Sequence, residues 1–146
     1  MPNLAQQAAY IQRNHPNFKI RYLSHNQLEV RGSLQPSARS CAYFFRLTYR
    51  QHSRPVIHIL SPELEKGATG EKPPHLYSDW SLCLYLPSAW EFSDYEWLND
   101  TIIPWISLWL HYYEDWLVNG YIWNGGGMHP TPKPKKRNQQ LIRPSI

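Results

Sequence analysis

The apolar positions of this chain fall into three successive rhythms. Residues 3–14 carry a helical one: Leu4, Ala8 and Ile11 recur about a turn apart, and Asn3 stands ahead of them as N-cap. His15-Pro16 closes the run, because a residue before proline avoids the helical region. Four short runs of period two follow. Residues 18–23 set Phe18, Ile20 and Tyr22 against Lys19 and Arg21, and residues 27–32 set Leu28 and Val30 against Glu29 and Arg31. Ser24-His25-Asn26 between them is short enough to turn a hairpin. Residues 41–50 place Tyr43, Phe45, Leu47 and Tyr49 on one face, and residues 55–60 (PVIHIL) form the last and most apolar run. The spacing predicts an antiparallel meander with one packed face and one wetter face.

Residues 61–73 are polar, hold two glycines and read as an exposed loop; residues 74–87 (PHLYSDWSLCLYLP) read as extended or irregular. The helical rhythm then returns. Pro104, Trp105, Ile106, Leu108, Trp109, Tyr112, Tyr113, Trp116 and Leu117 trace a broad apolar face, with Thr101 as N-cap, Pro104 in the first turn and Gly120 as C-cap. All seven tryptophans lie between residues 80 and 123, so most are expected in the core. Residues 124–127 (NGGG) predict a turn, and from Thr131 the chain is rich in Pro, Lys and Arg and is expected to be disordered. The fold class is α+β: an N-terminal helix, a four-stranded antiparallel meander, a cysteine-bearing loop and a long C-terminal helix, the sheet covered on one face. One domain over residues 1–130 and a basic tail over 131–146 are expected.

Composition narrows this picture. A chain of 146 residues suffices for one core, and no apolar run reaches the roughly 18 residues that span a bilayer. The first residues show neither a basic nor an apolar leader segment, and the two cysteines form no CxxC pair, so a reducing cytoplasm is the expected setting. The net charge of +4 conceals a division: residues 1–72 carry +6, residues 73–127 carry −7 with no Lys or Arg, and residues 128–146 carry +5. The division reads either as a dipolar surface with a solvated tail, or as an acidic segment facing a basic partner. Outside the tail the basic residues form no stripe interleaved with aromatics, so nucleic acid is not an expected partner.

Candidate chemistry centres on Cys83, within Leu82-Cys83-Leu84-Tyr85-Leu86 and before Pro87. Taken alone, the run reads as a buried cysteine, since free Cys is among the most buried residue types. Cys41 opens a strand run and reads as structural. Two cysteines 42 residues apart, with scattered histidines, do not make the ligand pairs of a zinc site, and no cofactor is expected.

The order of elements, with a cysteine just after the fourth strand and its loop, resembles the ubiquitin-conjugating enzyme fold over roughly residues 3–129. The chain is most similar to the bacterial ubiquitin-conjugating-like proteins of CBASS antiphage defence. Their pattern H-x-Y-x-D-x-x-L-C is met here by His75, Tyr77, Asp79, Leu82 and Cys83, followed by the Trp-rich helix, Trp123-Asn124-Gly125 and His129.

The resemblance implies that Cys83 carries an acyl group as a thioester, received from the C-terminal carboxyl of a partner and passed to an amine, usually a lysine. The partner implied is a cyclic-nucleotide synthase (a cGAS-like nucleotidyltransferase) or a bacterial ubiquitin-like protein. A thiolate serves because it both attacks and leaves well, and the incoming thioester already stores the activation. With a thiol of ordinary pKa near ~8.5, the acidic segment is expected to raise Cys83 further, which fits a cysteine that reacts when a partner delivers the acyl group. Eukaryotic members carry an H-P-N triplet before the cysteine. Here His75-Leu76-Tyr77 stands in its place, so the Tyr77 hydroxyl or a backbone N–H would have to serve the oxyanion. His75 is expected to shape the loop, and His129 to lie near the site or at the start of the tail. Asp115, 32 residues past Cys83, and Glu114 either help deprotonate the acceptor amine or form a solvated helix stripe. Trp80 walls the site or packs in the core. Lys133, Lys135 and Lys136 are sites of self-modification or part of a solubilising tail. Two other readings stay open: a non-catalytic binding module on the same scaffold, and a cysteine hydrolase using Cys83 with His75 or His129.

Overall fold

The computed structural model describes residues 1–84 and 92–125. Within them the chain runs α1 (Leu4–Asn14), β1 (Lys19–Ser24), β2 (Gln27–Leu34), β3 (Tyr43–Arg50), β4 (Val56–Ser61) and α2 (Ile102–Val118). The four strands form an antiparallel sheet in the order β1-β2-β3-β4. This is the α+β meander expected of a ubiquitin-conjugating-like fold.

Each boundary has a local cause. The Asn3 side chain accepts from the Gln6 amide while the Gln6 side chain accepts from the Asn3 amide, a reciprocal capping box at the start of α1. Gly120 lies just past α2 with φ +87°, where a side chain would be strained. Thr101 stands at the N-cap of α2 without capping it: its hydroxyl donates to the Trp97 carbonyl instead.

The inner face of the sheet follows the period-two pattern. Leu28, Val30, Tyr43, Phe45, Leu47, Tyr49 and Ile57 are buried and share one core with Ile102, Ile106, Trp109, Leu110, Tyr113 and Trp116 of α2. Tyr43 and Tyr113 meet edge to face at 6.3 Å, joining β3 directly to α2. Three expectations need correction. Tyr22 is 50% exposed, because β1 is an edge strand and little covers its length. Pro104 and Leu108 turn outward from α2, whereas Leu110 is buried. Trp109 and Trp116 are the fully buried tryptophans among those described, while Trp80, Trp97, Trp105 and Trp123 are half-buried.

The wetter face holds a buried carboxylate. Glu29 keeps only 2% of its accessible surface and receives Arg21 Nε and Arg46 Nε at 2.7 Å, with Arg31 Nε at 3.3 Å. Burial alone would raise its pKa, but the hydrogen bonds from Arg21 and Arg46 override it and hold the carboxyl down at about 2. Trp90, the expected domain boundary after residue 130, the tail with its lysines, and His129 lie outside the described residues.

Candidate active site

The loop that carries Cys83 is built from backbone hydrogen bonds. The Tyr77 amide donates to the Ser81 carbonyl and the Trp80 amide to the Tyr77 carbonyl, each at 2.9 Å, and Leu76 bridges Leu82. Ser78-Asp79-Trp80 is thus a three-residue hairpin loop whose last residue, Trp80, has φ +69°. The Asp79 carboxylate accepts from both the amide (3.0 Å) and the hydroxyl (2.6 Å) of Ser81, closing the turn from within. The Leu82 amide then donates to the Ile57 carbonyl of β4, which pins the hairpin to the sheet.

His75 begins the hairpin, with φ +61°. A bulky residue in the left-handed region persists only when its surroundings hold it there. Here they do: its carbonyl accepts two donors, the Cys83 amide at 2.9 Å and the Trp109 indole Nε1 at 3.1 Å. One carbonyl oxygen therefore ties the backbone of Cys83 to the centre of α2. The His75 ring rests against Trp123 at 5.2 Å, and Trp123 packs on Trp109 at 5.6 Å and on Tyr112 at 6.0 Å. Asn124 is held by the Asp115 carboxylate at 3.0 Å. Gly125 admits no side chain, since a Cβ there would meet Trp123 Nε1 at 2.5 Å and the Tyr112 ring at 3.0 Å. Each residue of Trp123-Asn124-Gly125 thus helps fold the chain after α2 back over His75.

Cys83 itself is half-exposed, while its neighbours Ser81, Leu82 and Leu84 are buried. The residue next to a buried run surfaces here only at its sulfur-bearing position. Tyr77 and Cys83 both border the Leu76–Leu82 bridge of the hairpin, and burial, with the interaction of the phenol with Cys83, pushes Tyr77 up to about 12. The Tyr77 ring lies under the Arg54 guanidinium, whose central carbon is 4.0 Å from the ring centroid, and the Tyr77 carbonyl accepts Lys72 Nζ at 3.1 Å. His58 of β4 reaches the Asp79 carbonyl at 3.1 Å across the far side of the hairpin. A cleft of about 560 Å³ opens beside it, lined by His58, Ile59, Leu60, Leu64, Lys66 and Trp80 among others.

Of the residues expected at the site, His75, Tyr77 and Cys83 are brought together. Asp115 is engaged with Asn119 and Asn124, and Glu114 with Ser40 and Tyr43. Trp80 lines the cleft. Cys41 is exposed ahead of β3, which starts at Tyr43 rather than at residue 41. The expected acidic setting around Cys83 takes a different form: Asp94 pairs with Tyr49 and His52, Asp100 with Tyr10, and Asp79 with its own turn. Among the described residues the charges that reach Tyr77 are cations, Lys72 on its carbonyl and Arg54 on its ring. Arg54 comes from the turn between β3 and β4, and nothing in the sequence around it marks it for the site. Among the described residues no group of His, Cys, Asp or Glu is arranged to hold a metal ion, and no helix is long and apolar enough to cross a membrane.

The model of one protein family, the type II CBASS E2 proteins, matches residues 7–130. This chain belongs to that family. No curated protein matches it. Membership gives this CBASS E2 chain an E2-like role in CBASS defence, with an activity of the conjugating kind and interactions with other CBASS components. The match runs from within α1 through the whole sheet, the hairpin around Cys83 and α2, so the site described above lies inside the family's own domain.

Proposed function

We propose that this CBASS E2 chain is an acyl carrier whose Cys83 forms a thioester with the C-terminal carboxyl of a partner and passes it to an amine. The reading is supported most by one observation: Cys83 is partly exposed between the buried Leu82 and Leu84, in the hairpin that also carries His75 and Tyr77. A cysteine retained for packing would be buried with its neighbours. In the proposed reaction the Cys83 thiolate attacks the activated carbonyl, the donor's leaving group departs, and an acceptor amine later displaces the sulfur. His75 positions Cys83 through its carbonyl. In this reading the Tyr77 hydroxyl serves the oxyanion that forms beside the sulfur. His129 remains a candidate for the same site.

In the CBASS setting the donor is a cyclic-nucleotide synthase of the cGAS-like type, whose C-terminus the carrier joins to an acceptor; a bacterial ubiquitin-like protein is the alternative donor. The test is intact mass and a non-reducing gel from cells expressing the chain with its operon partner. Wild type should carry an adduct that reductant removes. Cys83→Ser should carry one that resists reductant, as an oxygen ester, and Cys83→Ala none. An adduct on Cys83→Ala equal to that on wild type would refute thioester carriage, and its absence from all three would turn the reading toward a binding module.

A further inference from the structure

Arg54 differs from the other arginines with described contacts. Its Nη1 is buried and meets no hydrogen-bond acceptor among the described residues, while its guanidinium carbon lies over the Tyr77 ring, 4.0 Å from the centroid. A buried guanidinium N–H without an acceptor is costly, so it persists where the position itself is needed. The phenol whose face it covers belongs to the same hairpin as Cys83, the two residues bordering the Leu76–Leu82 bridge.

We propose that Arg54 is a positioning residue for the chemistry of Cys83: it clamps Tyr77 so that the phenol O–H is delivered to the sulfur and stabilises the thiolate. This rests on the reading of Cys83 as an acyl carrier. In the transfer step the acceptor nitrogen attacks the thioester carbonyl and a C–N bond forms. The C–S bond then breaks, its electron pair stays on sulfur as the thiolate, and the extra amine proton leaves to water. The charge left on sulfur is met by the Tyr77 O–H, and a cation on the ring face makes that O–H a stronger donor. The charged and titratable groups around Cys83 are Tyr77, His75 and Asp79 of the hairpin, Arg54 of the β3–β4 turn, His58 of β4 and Lys72 of the loop after it. Arg54 alone among them lies on the Tyr77 ring.

The test uses the full chain with Cys41→Ser, so that only Cys83 reports. The first readout is the pH dependence of its alkylation by iodoacetamide, which needs no partner. Arg54→Gln and Tyr77→Phe should each move the midpoint to higher pH, the double variant no further than either, and Arg54→Lys should recover part of the shift. The second readout is discharge of the Cys83 thioester to free lysine, which should slow roughly 10- to 100-fold in Arg54→Gln. Folding of each variant is checked by far-UV circular dichroism, and Arg54→Lys carries the comparison if Arg54→Gln does not fold. An unshifted midpoint in a folded Arg54 variant overturns the proposal. A shifted midpoint without any adduct on wild type removes acyl carriage and leaves the Arg54–Tyr77–Cys83 coupling standing.

Discussion

Arg46 and Arg54 belong to the same hairpin and have opposite surroundings. Arg46, in β3, points its Nε at the Glu29 carboxylate at 2.7 Å and shares that carboxylate with Arg21 and Arg31. Arg54, in the following turn, faces an aromatic ring and keeps a buried N–H without an acceptor among the described residues. Where charge serves only the fold, each donor is matched, because an unmatched buried group costs about 1–3 kcal/mol. Arg54 instead keeps a donor over beside Tyr77, a capacity that the proposed chemistry of Cys83 would use. On that reading the outer face of the sheet stabilises, and the Cys83 hairpin serves the reaction.

The largest expected effect follows directly. Cys83→Ala should abolish the adduct while costing no more than about 1 kcal/mol in urea unfolding, since the side chain is half-exposed and small. A loss of several kcal/mol would return Cys83 to the core. Trp109→Phe comes next and bridges both regions. Trp109 is fully buried in the core, and its indole N–H is one of two donors on the His75 carbonyl. Losing that bond and part of the ring volume should destabilise by about 2–3 kcal/mol and also slow thioester discharge, whereas Trp116→Phe should affect stability alone. Equal discharge in the two variants would show that the tie from α2 to His75 has no bearing on Cys83.

These two tests also mark how far the sequence could be read. The meander was legible because Tyr43, Phe45, Leu47 and Tyr49 repeat at the pleat period and all four are buried. Asn3 announced its helix by a side chain that accepts from the amide three residues on, in the same turn. The hairpin residues His75, Tyr77 and Cys83 were legible only through a motif, since their spacing alone does not say that one carbonyl would gather an amide and an indole. Arg54 was not legible at all. Charge counted along the chain assigns it to the basic first half, and only the antiparallel return of β3 and β4 carries it onto Tyr77. Glu29 shows the same limit in reverse: it sits at a polar position of an alternating strand, yet it is buried because arginines from two neighbouring strands close over it.

Glu29→Gln should therefore destabilise the chain by about 1–3 kcal/mol without changing the alkylation midpoint of Cys83. Its pH dependence sharpens the point. The arginines hold the Glu29 carboxyl down at about 2, below its ordinary 4.5, so its contribution is fully present above 4.5 and is lost as pH falls toward about 2. Urea midpoints of wild type should fall over that window more steeply than those of Glu29→Gln. Parallel curves would mean that the three arginines do not hold the carboxylate in its charged form.

The smallest effect is expected at Asp115, and it decides which side of the comparison that residue belongs to. Its Oδ2 accepts from Asn119 Nδ2 at 2.9 Å and from Asn124 Nδ2 at 3.0 Å, so it is matched as Glu29 is. Through Asn124 it steadies the segment whose Trp123 covers His75. Asp115→Asn keeps the shape but turns an acceptor into a group that also donates, against two amide donors. The expected loss is about 0.5–1.5 kcal/mol, with discharge to lysine slowed no more than about twofold and equally at every pH, because the group acts through position alone. A carboxylate that took the acceptor's proton would behave differently: its loss would slow discharge most at low pH, where free amine is scarcest, and little at high pH. A pH-dependent loss in Asp115→Asn would move Asp115 from the stabilising class to the chemistry of Cys83, and would mean that a fully matched carboxylate can still be drawn into the reaction.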